Sequence, residues 1–132
     1  MIRVGIVDDH AIVRSGLRQF LSEQVDLRVS GEAANGREAL ELARGGETDV
    51  LLMDLSMPDQ GGVDALAAIK ARFPDLHVLI LSGFPEAHYA TTLLRQGASG
   101  YINKEADPEE IATAIRTVAR GRRYITPAVA EL

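Results

Sequence analysis

The chain has 132 residues, 46% of them hydrophobic and 25% charged, with Lys+Arg 14 against Asp+Glu 19 and a net charge of −5. This is the size and balance of one ordinary globular domain with enough chain for a core, and the negative field makes this chain by itself a poor binder of nucleic-acid phosphates. It has no cysteine, which excludes disulfide frameworks, zinc knuckles and thiol catalysis and fits a reducing cytoplasm.

Ile2 to Val7 is a short, β-branched apolar run and reads as a buried strand; the start "MIRVGIVDDH" is not a signal peptide. From Ala11 to Ser22 the apolar positions Val13, Leu17, Phe20 and Leu21 recur at helical spacing. Leu27 to Ala33 is a second, more polar strand, closed by Asn35 and Gly36. Arg37 to Arg44 carries Leu40 and Ala43 on one helical face, and Gly45-Gly46 stops it. Val50 to Met53 is an unbroken apolar strand with a carboxylate, Asp54, at its end. After "MPDQGG", Val63, Leu66 and Ala67 mark a third helix, ended by Pro74.

Leu76 to Leu81 is the clearest strand. A helix over Pro85 to Arg95 follows, with Gly97 just past its end, and then a short fifth strand over Ser99 to Ile102. Asp107 can cap the last helix, with Pro108 at its first position and Ile111, Ile115 and Val118 facing inward. No apolar run reaches the roughly 18 residues of a membrane span.

Alternating strands and helices with continuous apolar strands imply a parallel sheet covered on both faces. Right-handed crossovers then predict a flavodoxin-like, doubly wound five-stranded sheet of order 2-1-3-4-5, in three α/β/α layers. In such sheets ligands bind beyond the carboxyl ends of the strands. Strand one ends in Asp8-Asp9, strand three in Asp54 and strand four in Ser82, and Lys104 follows strand five. Taken singly, each has a plain structural reading: a helix cap, a strand-end acid facing water, a turn serine, a solvated lysine. Together at one edge they form three carboxylates, a hydroxyl and an ammonium.

Carboxylates held together repel, and a cation relieves them. All-oxygen ligands in an incomplete cage favour Mg²⁺ over Ca²⁺, and His10, His77 and His88 show no zinc-ligand spacing. A metal and a lysine beside a free carboxylate make a receptacle for a phosphoryl group, with Asp54 as nucleophile.

The motifs "VDDH" (Val7 to His10), "MDLSMPDQGG" (Met53 to Gly62), "LILS" (Leu79 to Ser82) and "GYINK" (Gly100 to Lys104) resemble the receiver domain of two-component response regulators across essentially the whole chain. "GEAANGREAL" and "GRRYITPAVAEL" resemble its NarL/FixJ (LuxR-type) branch, whose members carry a C-terminal DNA-binding helix-turn-helix. The resemblance implies the CheY-like variant of the fold and a phosphoacceptor switch rather than an enzyme. It makes Asp54 the acceptor of a phosphoryl group from a sensor histidine kinase. It makes Asp9 and Asp54 direct Mg²⁺ ligands with the backbone carbonyl of Ser56, and has Asp8 act largely through water. It pairs Lys104 with the phosphate, has Ser82 swing to bond it, and has Tyr101 turn inward with Ser82. Pro58 and Gly62 shape the loop after the acceptor, and Met57 and Phe84 read as packing residues. Homodimerisation on phosphorylation is a further implied partnership.

Residues 1–120 therefore read as the receiver. Thr126 and Pro127 suit the cap and first position of a further helix, so 121–132 read as the start of a linker helix toward a DNA-binding domain outside this chain. The competing reading on the same fold is a stand-alone interaction module. A haloacid-dehalogenase-like phosphatase would need a D-x-D motif on strand one. A flavodoxin-like ligand-binding module would need a phosphate loop after strand one, and neither feature is present.

Overall fold

The computed structural model describes residues 1–55, 62–83 and 86–126, without the side chains of 62–63 and 86–89. Ser56, Met57, Pro58, Phe84 and the segment from Pro127 onward lie outside the described residues. In chain order come β1 (Ile2–Val7), α1 (Ala11–Ser22), β2 (Leu27–Ala33), α2 (Gly36–Arg44), β3 (Val50–Asp54), α3 (Gly62–Arg72), β4 (His77–Ser82), α4 (Glu86–Arg95), β5 (Gly100–Asn103) and α5 (Pro108–Ala119). The strands form one sheet of order β2-β1-β3-β4-β5, every neighbouring pair parallel. The predicted doubly wound architecture is the one observed.

The continuous apolar strands follow from burial on both faces, because successive side chains point to opposite sides of a sheet. Leu51 and Met53 of β3 join Val7, Ile80 and Tyr101 in a core closed by α2, α3 and α4 through Ala39, Leu66 and Leu93. Val50 and Leu52 face the other way, with Val4, Ile6, Leu79 and Ile102, against Leu21 of α1 and Ile111 and Ile115 of α5. Among the described residues, no helix is long and apolar enough to cross a membrane.

Element ends differ from the sequence reading where polar residues stay in the ladder. β4 and β5 each start and finish one residue later than predicted, because Ser82 still pairs with Asn103. Asn35, expected only to close a turn, caps α2: its Oδ1 accepts the Glu38 N–H at 2.9 Å, and Glu38 Oε1 reaches back to the Ala34 N–H at 2.9 Å. Asp107 takes the cap position of α5, but its side chain makes no cap hydrogen bond. Its carbonyl instead accepts from Glu110 and Ile111, and Pro108 follows in the first turn.

At the amino end of the sheet, Arg3 and Asp49 clamp β1 to the start of β3. Asp49 Oδ2 accepts the Arg3 backbone N–H at 2.8 Å and its Nε at 3.1 Å, Oδ1 accepts Nη2 at 3.0 Å, and the Asp49 N–H returns to the Arg3 carbonyl at 2.8 Å. The side-chain hydrogen bond from Arg3 holds the Asp49 carboxyl below its ordinary value, against the opposing effect of burial. A depressed carboxyl contributes stability above its unfolded pKa, about 3.9, and loses it as the pH falls through the folded value. Both side chains are more than a third exposed, so solvent limits the worth of the clamp. Asp49→Asn is expected to cost about 1 kcal/mol at pH 7. Urea titrations at pH 7 and pH 3 check it: the gap should be clear at the first and largely closed at the second.

Candidate functional site

The ladders of the sheet run past the strand ends and carry the polar residues with them. The Asp8 N–H donates to the Ala33 carbonyl at 3.0 Å, that of Leu55 to Leu81 at 3.1 Å, and that of Lys104 to Ser82 at 2.8 Å. Backbone hydrogen bonds thus hold the β1, β3 and β5 contributions to their neighbouring strands, which is what a precise site requires. Asn103 shapes the turn after β5: its Oδ1 accepts the Glu105 N–H at 2.8 Å.

The polar residues predicted to share this edge do so. Asp8 and Asp54 are 1% and 2% exposed, and Ser82 is fully buried. Lys104 Nζ lies 3.2 Å from Asp8 Oδ2 and 3.2 Å from Asp54 Oδ2, so one ammonium bridges two buried carboxylates. Burial works against the charge on Lys104, but attraction to Asp54 and hydrogen bonding and attraction to Asp8 together outweigh it, and its pKa is raised. Lys104 is therefore a cation throughout the neutral range. Asp9, also on the loop after β1, is more open, its side chain 29% exposed. Tyr101 is 1% exposed within the core beside α3 and α4.

Two residues join the site that sequence reasoning did not place there. His10 donates its backbone N–H to Asp8 Oδ1 at 2.8 Å, and its Nδ1 lies 3.1 Å from that oxygen and 3.0 Å from Asp9 Oδ1. Asp8, Asp9, His10 and Asp54 each bring a ligand atom into a cluster spanning no more than 4.8 Å. His10 has no zinc-ligand spacing in the sequence and enters the cluster through the two residues before it. His77 opens β4 at the opposite end of the sheet, and the side chain of His88 lies outside the described residues. Arg14 on α1 donates to the Asp8 carbonyl and, at 3.3 Å, to Glu32 of β2, which also accepts from Arg18 at 3.0 Å.

The response regulator receiver domain model matches residues 4–116. The chain belongs to the response regulator receiver family. This receiver is 41% identical over 131 residues to the response regulator GacA of Pseudomonas aeruginosa, covering 99% of this chain and 61% of that protein. It is 43% identical over 127 residues to the oxygen regulatory protein NreC of Staphylococcus carnosus, covering 96% and 58%. It thus spans about three fifths of the length of these curated relatives. Among solved structures, a LuxR-family two-component response regulator from Aurantimonas sp. SI85-9A1 superposes with a TM-score of 0.91 at 36% identity, covering 98% of the receiver and 92% of that chain. The isolated REC domain of RcsB from Salmonella enterica serovar Typhimurium, solved in the presence of the phosphomimetic BeF3−, superposes with a TM-score of 0.87 at 26% identity, covering 98% and 96%.

The donor set of the receiver's edge suits a hard divalent cation. Among the described residues three carboxylates meet one ammonium at a partly buried edge, so negative charge is in excess there. The imidazole of His10 is turned onto Asp8 and Asp9.

Proposed function

We propose that Asp54 accepts a phosphoryl group from the phosphohistidine of a sensor histidine kinase, and that this switches a transcriptional output. The observation that carries the reading is the bridged pair: Asp54, buried at the end of β3, with the Lys104 ammonium 3.2 Å from its Oδ2 and acids on the adjoining β1 loop. An Asp54 oxygen attacks phosphorus, and the bond from phosphorus to the donor nitrogen breaks with its electron pair leaving on the imidazole, which takes up a proton. The product is an acyl phosphate. Lys104 lies where it can pair with the equatorial oxygens as they gain charge. Asp8, Asp9 and Asp54 would hold Mg²⁺, with the Ser56 carbonyl from outside the described residues. The ion supplies positive charge against the phosphoryl oxygens.

The modification adds a charge of about −1.5 to −2 and three acceptor oxygens. Ser82, at the end of the neighbouring strand β4, answers it by bonding the phosphate, and Tyr101 of β5 responds with it. The domain then works as a switch that assists its own phosphorylation and dephosphorylation rather than as an enzyme with an external substrate. That the chain covers only about three fifths of its curated relatives supports assigning the output to a DNA-binding domain beyond residues 121–132, with homodimerisation as the accompanying change and the cytoplasm as its compartment.

The test is intact mass after incubation with Mg²⁺ and acetyl phosphate. One phosphoryl gain is expected, lost in Asp54→Asn and without Mg²⁺. No gain by a folded chain that binds Mg²⁺ would leave the acidic edge a structural or docking feature.

A further inference from the structure

After α5 the chain turns at Gly121, whose φ is +82°, and comes back as an extended strap over residues 122–126. Backbone and side-chain hydrogen bonds hold it. The Tyr124 N–H donates to the Ser99 carbonyl at 2.9 Å, and Tyr124 pairs in parallel with Gly100, on the edge of β5 away from β4. The Tyr124 hydroxyl donates to Glu110 Oε1 of α5 at 3.0 Å. Arg123 Nη2 donates to the Leu94 carbonyl near the end of α4 at 3.3 Å. The strap therefore touches α4, β5 and α5 at once. It lies this close because residue 100 has no side chain: a Cβ there would stand 2.9 Å from the Tyr124 carbonyl oxygen and 3.0 Å from its Cβ.

β5 has four residues, and both ends matter. Tyr101, next to the strap's partner Gly100, is buried in the core under α3 and α4, and Lys104, just past the other end, bridges Asp8 and Asp54. A strand this short, gripped on both edges, shifts as a unit, so what fixes one end biases the other.

We propose that the strap is a coupled element of the switch: docking on β5 favours the arrangement that holds Tyr101 inward and Lys104 on the Asp54 side, and occupation of the Asp54 site in turn tightens the strap. The docked strap, the buried Tyr101 and the bridged Lys104 occur together in this structure, and the coupling proposed is positive. The chain leaving the domain would thus carry the state of the site through a backbone ladder and not only through the surface of α4. The inference rests on the phosphoacceptor reading. Reciprocity is required of it: the factor by which site occupation favours docking is the factor by which docking favours occupation.

The experiment is amide hydrogen exchange over residues 120–126 with and without Mg²⁺ and beryllofluoride, paired with beryllofluoride affinity for the wild type, Tyr124→Ala and the conservative Glu110→Gln. Thermal melts confirm that each variant is folded. Exchange at Tyr124 should slow about tenfold on occupation, Tyr124→Ala should weaken beryllofluoride binding by a similar factor, and Glu110→Gln should weaken it less. Intact mass with acetyl phosphate separates the two readings. If Asp54 is phosphorylated but strap exchange and variant affinities do not change, the coupling is wrong and the phosphoacceptor reading stands. If neither phosphoryl nor beryllofluoride is taken up, both fall.

Discussion

Asp54→Asn is expected to unfold at a higher temperature than the wild-type chain while taking up no phosphoryl group. Asp54 and Asp8 are buried, Asp9 stands beside them, and Lys104 is the ammonium that bridges the first two. Carboxylates within about 5 Å of one another repel by one to a few kcal/mol in a partly screened site. The amide removes that repulsion from Asp54, gives up its attraction to Lys104, and keeps the shape. Lys104 retains Asp8, so its charge stays partnered. The balance is a gain of about 1 kcal/mol, a rise of roughly 3–5 °C for a domain of this size. Millimolar Mg²⁺ should narrow the gap, since an ion bound by the folded wild type stabilises it by mass action and the amide binds it less well. Scanning calorimetry with and without Mg²⁺ measures both effects. A variant that melts below wild type in the absence of Mg²⁺ would show that attraction to Lys104 outweighs the crowding of acids.

Much of this arrangement was legible beforehand because the sheet obeys simple periodicities. Short apolar runs such as Val50 to Met53, bounded by turn residues and alternating with helical patterns, read as strands buried on both faces, and the topology then sends Asp8, Asp9, Asp54, Ser82 and Lys104 to one edge. What escaped the reading were features without a period. His10 enters the cluster through a local turn, bonding Asp8 two residues back, and local geometry of that kind leaves no spacing signature. Arg14 works through a backbone carbonyl, and hydropathy says nothing about which carbonyl a guanidinium finds. The strap forms a single bridge at Gly100, too short for alternation to register, although a glycine where β5 would otherwise favour a branched residue was the trace it left. Boundaries moved for a related reason, since Ser82 and Asn103 pair in the ladder while looking like loop residues.

Lys104→Met should separate chemistry from stability in the opposite sense. Methionine keeps most of the stem and removes the charge, so Asp8 and Asp54 lose the cation 3.2 Å from each. Removing a preorganised donor from a transferring group typically costs about 10²–10³ in rate, and uptake from acetyl phosphate should slow by that order without being abolished, because Asp54 remains. Stability should fall by about 1–2 kcal/mol, less than for a fully buried pair because the lysine side chain is 22% exposed. The pH dependence has a definite sign. The raised pKa of Lys104 means that its contribution is fully present below the ordinary lysine value of about 10.4 and is lost only as the pH climbs through the higher folded value. The stability gap between wild type and Lys104→Met should therefore be flat from pH 6 to 9 and close in more alkaline solution. The decisive comparison is a double-mutant cycle in urea with Asp54→Asn. If the lysine is there to hold the crowded acids, Lys104→Met costs clearly less in the Asp54→Asn background, where there is less charge to hold. An equal cost in both backgrounds would mean that Lys104 stabilises the fold through Asp8 and its own packing, with its link to Asp54 reserved for the phosphoryl group.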